Sequence, residues 1–308
     1  MVISVVSPVY SAEGTVDELV RQLVNVFDGL KADYEIVLID DCGPDKSWER
    51  IEVICANNPA VKGVKLSRNF GQHFAITAGL KIARGDFVVV MDCDLQDDPL
   101  YIPEMLEQAK QGNDIVYTLK TNRKHSYVKN LTANLFNRVF NWLIDNKNWK
   151  SDNMIGSYSL LSRKVVDAFN NYKDYRRHYL MVLRWLGFQS TYVKVEHKER
   201  FAGTSSYNLS RLINHAIDGI TSQSDKLLRL TVLLGIVLSL SAFTGATYIV
   251  VRSLFSSFKN GWASLFVLVL FVGGLIILSV GISAIYIGKI FEQTKERPLY
   301  LIDKTLNL

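Results

Sequence analysis

The sequence predicts an α/β protein: a mainly parallel sheet with helices on both faces, then an amphipathic helix at a membrane interface and a two-helix transmembrane hairpin. Three observations carry this reading. Apolar β-branched runs alternate with amphipathic helical runs up to about Tyr207, which is the pattern of successive β-α units. Beyond Leu227 the chain is almost uniformly apolar, and Leu230 to Val251 and Leu265 to Ile287 are each about 22 residues without a charge, close to the roughly 20 residues that a bilayer core demands. Two strand-like runs end abruptly in carboxylates, at Asp40-Asp41 and at Asp92-Cys93-Asp94.

In chain order, Val2 to Ser7 is a β-branched strand ended by Pro8-Val9-Tyr10. Thr15 and Glu18 form a capping box for a helix whose apolar face is Leu19, Leu23, Val26, Phe27 and Leu30. Strand Glu35 to Ile39, helix Asp45 to Asn57, strand Val61 to Leu66, helix Gln72 to Ala83 and strand Phe87 to Met91 complete a β-α-β-α-β-α-β series. A helix at Pro99 to Gln111, a strand at Asp114 to Thr118 and a basic loop at Lys120 to Lys129 come next. Helices at about Asn130 to Asp145, Lys164 to Asn171 and Arg176 to Leu186 follow, with strands at Tyr158 to Leu161 and Thr191 to Glu196. Leu209, Leu212, Ile213, Ala216, Ile217 and Ile220 then share one helical face, opposite Arg211, Asn214, His215 and Asp218. Directly before a span, such a helix lies in the interface plane. The domains read as 1–206 (cytosolic), 207–226 (interfacial helix) and 227–308 (membrane hairpin with a short cytosolic tail).

The run Met91 to Pro99 is where chemistry is expected. A buried strand ending in carboxylates opens into the cleft where open α/β sheets bind ligands. In extended backbone Asp92 and Asp94 point to one side and Cys93 to the other. Carboxylates converging there repel one another unless a cation sits among them. Hard oxygen ligands suit Mg²⁺ or Mn²⁺, whose shells are completed by substrate phosphates.

The net charge of +5 is modest, and no Lys/Arg-rich run marks a nucleic-acid surface. Its distribution is more telling. Arg211, Lys226 and Arg229 precede the first span and Lys289, Lys295, Arg297 and Lys304 follow the second, whereas the loop between carries only Arg252 and Lys259. The positive-inside bias therefore places the catalytic domain and both termini in the cytoplasm of a multi-pass protein of the cytoplasmic (inner) membrane. Cys42, Cys55 and Cys93 lack C-x-x-C spacing and read as reduced thiols. Gly273, Gly274 and Gly281 offer small-residue surfaces for helix packing, within one chain or in a homo-oligomer.

Pro8-Val9-Tyr10, Ile39-Asp40-Asp41-Cys42-Gly43-Pro44-Asp45, Leu66-Ser67-Arg68-Asn69-Phe70-Gly71, Ala75-Ile76-Thr77-Ala78-Gly79-Leu80 and Met91-Asp92-Cys93-Asp94-Leu95-Gln96-Asp97 occur in this order. Together with Leu160 to Val166 and Arg200 to Tyr207, the set resembles family 2 glycosyltransferases of the GT-A (Rossmann-like) fold. The resemblance is to the polyprenyl-phosphate branch, which includes dolichol-phosphate mannosyltransferases and bacterial polyprenyl-phosphate glucosyltransferases. It implies transfer of one sugar, with glucose from UDP-glucose as the best match, from a nucleotide-sugar donor to polyprenyl (undecaprenyl) phosphate with inversion. It further implies that Pro8 and Tyr10 line the nucleotide pocket beside Asp41 and Arg68, and that Asp40 hydrogen-bonds the base. Asp92, Asp94 and Gln96 hold Mg²⁺ or Mn²⁺ and the diphosphate. Lys120, Arg123 and Arg200 meet phosphates, so that Asp92, Asp94 and Arg200 form the catalytic set.

Four positions depart from the family pattern. Ala12 replaces an acidic residue, Lys120 an arginine, Ser206 a lysine, and Ser157 an aspartate. Loss of the aspartate is compatible with a phosphate acceptor, which is already anionic at neutral pH and needs no general base. Asp152 stays a candidate base. A glycolipid or glycan hydroxyl as acceptor, and a catalytically silent membrane partner, stay open as alternatives at this level.

Overall fold

The structure, a computed structural model, describes residues 1–120, 155–175, 177–196, 225–253 and 261–308. It divides into two compact units, one of Met1–Lys124, Asp152–Ser205 and Arg297–Leu308, the other of His125–Ser151 and Ser206–Glu296. The expected helix at 130–145, the interfacial helix at 207–226, and Arg123, Asp152, Arg200 and Ser206 lie outside the described residues.

The first unit is built on an eight-stranded sheet. Its strands are β1 (Val2–Val9), β2 (Asp33–Asp40), β3 (Val61–Leu66), β4 (Phe87–Val90), β5 (Ile115–Lys120), β6 (Ile155–Ser162), β7 (Ser190–Val195) and β8 (Ile302–Leu306). They run in the order β7-β5-β6-β4-β1-β2-β3-β8. β1 pairs in parallel with β2 and β4, β2 with β3, and β5 with β7, whereas β6 is antiparallel to β4 and β5 and β8 is antiparallel to β3. The mainly parallel sheet is as the sequence predicts.

Adjacent residues in the strands feed two cores, because side chains alternate across a sheet. Val5, Ile36, Leu38 and Val89 pack on one face with α1 (Val16–Leu30), α2 (Ser47–Asn57) and α4 (Ile102–Lys110), α4 being preceded by a 3₁₀ turn at Pro99–Tyr101. Val6, Val37, Ile39, Val88 and Val90 pack on the other with α3 (Gln72–Ile82), α5 (Arg163–Asn171) and α6 (Tyr179–Leu186). Burial on both faces explains why these strands read as continuous apolar runs. α3 approaches most closely at Gly79, where a Cβ would stand 2.3 Å from Val6 Cγ1 and 2.6 Å from Ile39 Cδ1.

Two local expectations are corrected. The capping box does not form: the Thr15 hydroxyl donates to Ala12 O at 3.3 Å, and Glu18 accepts from Arg21 and Gln22 instead. The carboxylate of Glu18 is drawn outward along its own helix by a guanidinium three residues on, which outcompetes a reach back to the cap. The tail is the second correction. Arg297–Leu308 belongs to the first unit and not to the one with the long apolar helices, because Ile302–Leu306 add the edge strand β8 to the first unit's sheet. Five residues with the charged pair Asp303-Lys304 in their midst give no apolar alternation, so this strand left no periodic signal.

The described part of the second unit consists of α7 (Lys226–Ser253) and α8 (Trp262–Thr294), which contain the predicted spans. Both are long and apolar enough to cross a membrane. Their side chains face outward rather than into a core, as at Leu233, Phe243 and Ile277. A soluble protein does not display apolar surface on this scale.

Candidate functional site

The C-terminal ends of β1, β2 and β4 lie side by side, with Val9 paired to Asp40 and Val90 to Val6. The loops that leave β1, β2, β3 and β4 each contain a residue in the left-handed region: Ser11 (φ 53°), Cys42 (φ 54°), Gly71 (φ 100°) and Leu95 (φ 60°). Three of the four are not glycine, so conformational strain is concentrated along one edge of the sheet. At Gly43 a Cβ would stand 3.0 Å from Ser11 N, so the loops after β1 and β2 close on each other only because this residue has no side chain.

Asp40, the last residue of β2, is 2% exposed, and its Oδ1 has no hydrogen-bond partner among the described residues. Burial pushes its carboxyl up to about 6, against the opposing pull of the Gly43 N–H and the Lys65 ammonium. A buried acceptor left open at a cleft is a place for a ligand donor. Tyr10, half exposed, and buried Pro8 stand beside it at the end of β1.

Asp41 has a different occupation. Its Oδ1 and Oδ2 accept the backbone N–H groups of Phe70 and Gly71, each at 2.8 Å. It therefore fixes the loop after β3, and the Arg68 guanidinium in that loop rests 4.3 Å above the Phe70 ring.

The carboxylates after β4 form the third group. Gln72 Nε2, at the start of α3, donates to Asp92 Oδ1 at 2.6 Å, and Ser157 Oγ, on β6, donates to Asp92 Oδ2 at 3.0 Å. Burial, and then the neighbouring Asp94, push the Asp92 carboxyl up. Asp94 Oδ1 accepts the Gln96 N–H at 3.1 Å across left-handed Leu95, so Gln96 joins the group through its backbone. Asp97 is 4% exposed, with Lys120 Nζ 3.6 Å from its Oδ1, too far for a hydrogen bond. Burial raises its carboxyl to about 7. Lys120 is confined in turn, since a Cβ at Gly156 would stand 2.9 Å from its Cε.

Among the described residues no three His, Cys, Asp or Glu side chains are arranged to hold a metal ion by themselves. The donor set still fits a hard divalent ion of the kind that takes one or two carboxylates and completes its shell with phosphate. Three carboxylates face a single described ammonium, and one buried oxygen of Asp97 lacks a hydrogen bond. Asp92 and Asp94 would hold the ion. Gln72, Ser157 and Asp97 were not singled out from the sequence as site residues. Ser157 carried a signal as a departure from the family pattern and Asp97 as the end of the acidic motif, whereas Gln72 carried none.

Comparison with known proteins agrees with this architecture. The family model described as glycosyl transferase family 2 matches residues 4–169. An uncharacterized glycosyltransferase of Bacillus subtilis (strain 168), YkcC, is 36% identical over 99% of this chain and 94% of its own length. The SfII prophage-derived bactoprenol glucosyl transferase of Shigella flexneri is 34% identical, over 99% of this chain and 98% of its own. Among solved structures, S. aureus TarS 1-349 in complex with UDP-GlcNAc aligns with a TM-score of 0.49 at 16% identity, over 72% of this chain and 66% of that one. The family model and the full-length relatives together establish that the chain is a glycosyltransferase belonging to glycosyl transferase family 2.

Proposed function

We propose that the protein transfers a single glucose from UDP-glucose to polyprenyl (undecaprenyl) phosphate at the cytoplasmic face of the membrane, with inversion at the anomeric carbon. The observation that carries this reading is the combination, in one chain, of the acidic cleft at the end of β4 with an apolar hairpin, over the full length of relatives named bactoprenol glucosyl transferase.

In this reading Asp40 accepts from the base, while Tyr10 and Pro8 border the nucleotide. The loop pinned by Asp41 presents Arg68 to the donor. A lipid phosphate oxygen bonds to the anomeric carbon as the bond to the nucleoside diphosphate breaks, and the electron pair leaves on the diphosphate. Asp92 and Asp94 would hold a divalent cation, which would supply charge neutralisation for that leaving group. Gln72 and Ser157 hold Asp92 in one orientation, so the carboxylate needs no reorganisation during the reaction. Lys120 provides a fixed positive charge beneath the group, and Arg123 and Arg200 add phosphate contacts. Ser157 is a hydrogen-bond donor to Asp92 and leaves the acceptor without a carboxylate base there. An anionic lipid phosphate needs none.

The proposed orientation is supported by connectivity as well as by charge. Residues before and after the two apolar helices belong to the same unit, which favours an even number of crossings, and the basic residues flanking them favour the cytoplasmic side for both flanks.

The test is a panel of labelled nucleotide sugars incubated with the purified protein and either undecaprenyl phosphate or a glycolipid, with Mg²⁺ or Mn²⁺. An acid-labile lipid-phosphosugar formed from UDP-glucose is the expected product. Transfer only to the glycolipid, or nucleotide binding without turnover on any donor, would overturn the proposal.

A further inference from the structure

The residues after the membrane hairpin make a set of contacts that reach the nucleotide cleft. β8 pairs with β3 along its length, from Gly63 opposite Leu306 to Leu66 opposite Ile302. At the cleft end, Ser67 N–H donates to Leu301 O at 2.9 Å. Tyr300 is partly buried in the same core as Phe70. At the opposite end Asn307, in the left-handed region at φ 58°, donates from Nδ2 to Cys55 O and to Val61 O, each at 2.8 Å. The tail is thus anchored beneath α2 and reaches the loop 67–71 at its other end. That loop is the one Asp41 grips from inside the sheet through Phe70 N and Gly71 N.

We infer that the tail Arg297–Leu308 is a positioning element of the donor site: Leu301 holds the loop that carries Arg68 through the Ser67 N–H, Tyr300 packs on the core that Phe70 also covers, and Asn307 is the anchor. The inference rests on the donor reading of Asp40 and Arg68 given above. A short polar loop held on one side only samples many conformations and must be ordered when ligand binds. Held on both sides, it is ordered beforehand. Because α8 ends at Thr294 and β8 begins at Ile302, the element that orders the donor loop continues directly from the second span. Leu301 acts through the Ser67 N–H, Asn307 through the Cys55 and Val61 carbonyls, and Tyr300 through the shared core.

A strand that merely covers a sheet edge would affect stability and both substrates alike, and this separates the two roles. The experiment uses the full-length protein in lipid nanodiscs, with the Tyr300→Ala/Asn307→Ala double variant beside the native protein. The KM for UDP-glucose is expected to rise about three- to tenfold, the effect of losing one or two hydrogen bonds. The KM for polyprenyl phosphate should change less than about twofold on the same scale. Amide exchange should accelerate across both 300–306 and 67–71. Faster exchange at 300–306 with an unchanged donor KM would overturn the inference, as would equal loss for both substrates.

Should the variant fail to fold, the native protein still decides. UDP alone must slow exchange at 300–306 as well as at 67–71, and protection of 67–71 without 300–306 refutes the coupling. Asp40→Asn and Asp94→Ala separate the two levels. If both retain UDP affinity, the donor reading fails. If both lose it while the tail variant keeps a native donor KM, the positioning role alone fails.

Discussion

Ser157 Oγ donates a 3.0 Å hydrogen bond to Asp92 Oδ2 across 65 positions of sequence. This bond joins β6 to the acidic loop after β4. It gives a function to the position where the family pattern leads one to expect an aspartate, because a hydroxyl there supports the Asp92 carboxylate whereas a second carboxylate would repel it. A hydrogen bond to a charged group contributes about 1.5–3 kcal/mol. Ser157→Ala should therefore lower kcat/KM by roughly ten- to a hundredfold, and raise the concentration of Mn²⁺ needed for half-maximal activity. Ser157→Asp should be worse at neutral pH and partly recover with excess Mn²⁺. Steady-state assays across a metal titration check both; a Ser157→Asp enzyme more active than the native one would show that the lost carboxylate was a base.

Asp94 is the carboxylate of this group turned back over left-handed Leu95 and braced by the Gln96 N–H. Asp92 has both oxygens engaged by protein donors. Asp92 and Asp94 stand together around Asp97 and Lys120, so a cation held by this group would draw on both carboxylates. Asp94→Ala, or a chelator added to the native enzyme, should reduce formation of the lipid-phosphosugar by at least about a hundredfold. Full activity after either treatment would remove the metal from the reaction. The chelator effect should reverse on adding Mg²⁺ or Mn²⁺.

Gly79 makes the second core sensitive to a single methyl group. Val6 and Ile39 are fully buried, and a Cβ on residue 79 would overlap both. Overpacking of this kind costs about 1–3 kcal/mol. Gly79→Ala should lower the melting temperature by a few degrees, on the order of 2–4 °C per kcal/mol for a domain of this size. Adding Val6→Ala should restore part of the loss, a coupling that thermal unfolding of the four variants in detergent measures. Since α3 also carries Gln72, which donates to Asp92, the displaced helix should raise the Mn²⁺ concentration needed for half-maximal activity too.

The order of strands β1 to β7 and the helices between them was legible because strands buried on both faces are long apolar runs and the helices have one apolar stripe. The carboxylates of the site were legible for a related reason: Asp40 and Asp92 interrupt those runs where a strand leaves the core. What supports them was not. Gln72 and Ser157 are ordinary polar residues brought to Asp92 from 20 and 65 positions away, and only the folded sheet creates the pairing. Asp41, which the resemblance places at the nucleotide pocket, also accepts from the Phe70 and Gly71 N–H groups, a loop contact that nothing in the sequence announces. β8 was silent because an edge strand exposed along most of its length carries no buried face.

If Asp40 contacts the donor as proposed, its raised carboxyl ties donor binding to pH. Its carboxyl is raised from 3.8 to about 6 by burial, so the fold favours the protonated form. The stabilisation this gives is fully present below the unfolded value and is lost as pH rises through about 6. The ligand-free protein should therefore lose stability between about pH 4 and pH 6 from this group. In the proposed reading Asp40 accepts from the base, and the ionised form is the stronger acceptor, so UDP affinity should move the other way, weakening as pH falls below about 6. Asp40→Asn separates the two effects. It should gain about 1–3 kcal/mol of stability at pH 7, where the native carboxylate is charged and buried. It should also lose UDP affinity and the pH dependence of that affinity. Thermal unfolding and UDP titration calorimetry over pH 5–8 measure these responses together, and a native UDP affinity that stays flat across the range would place the base elsewhere.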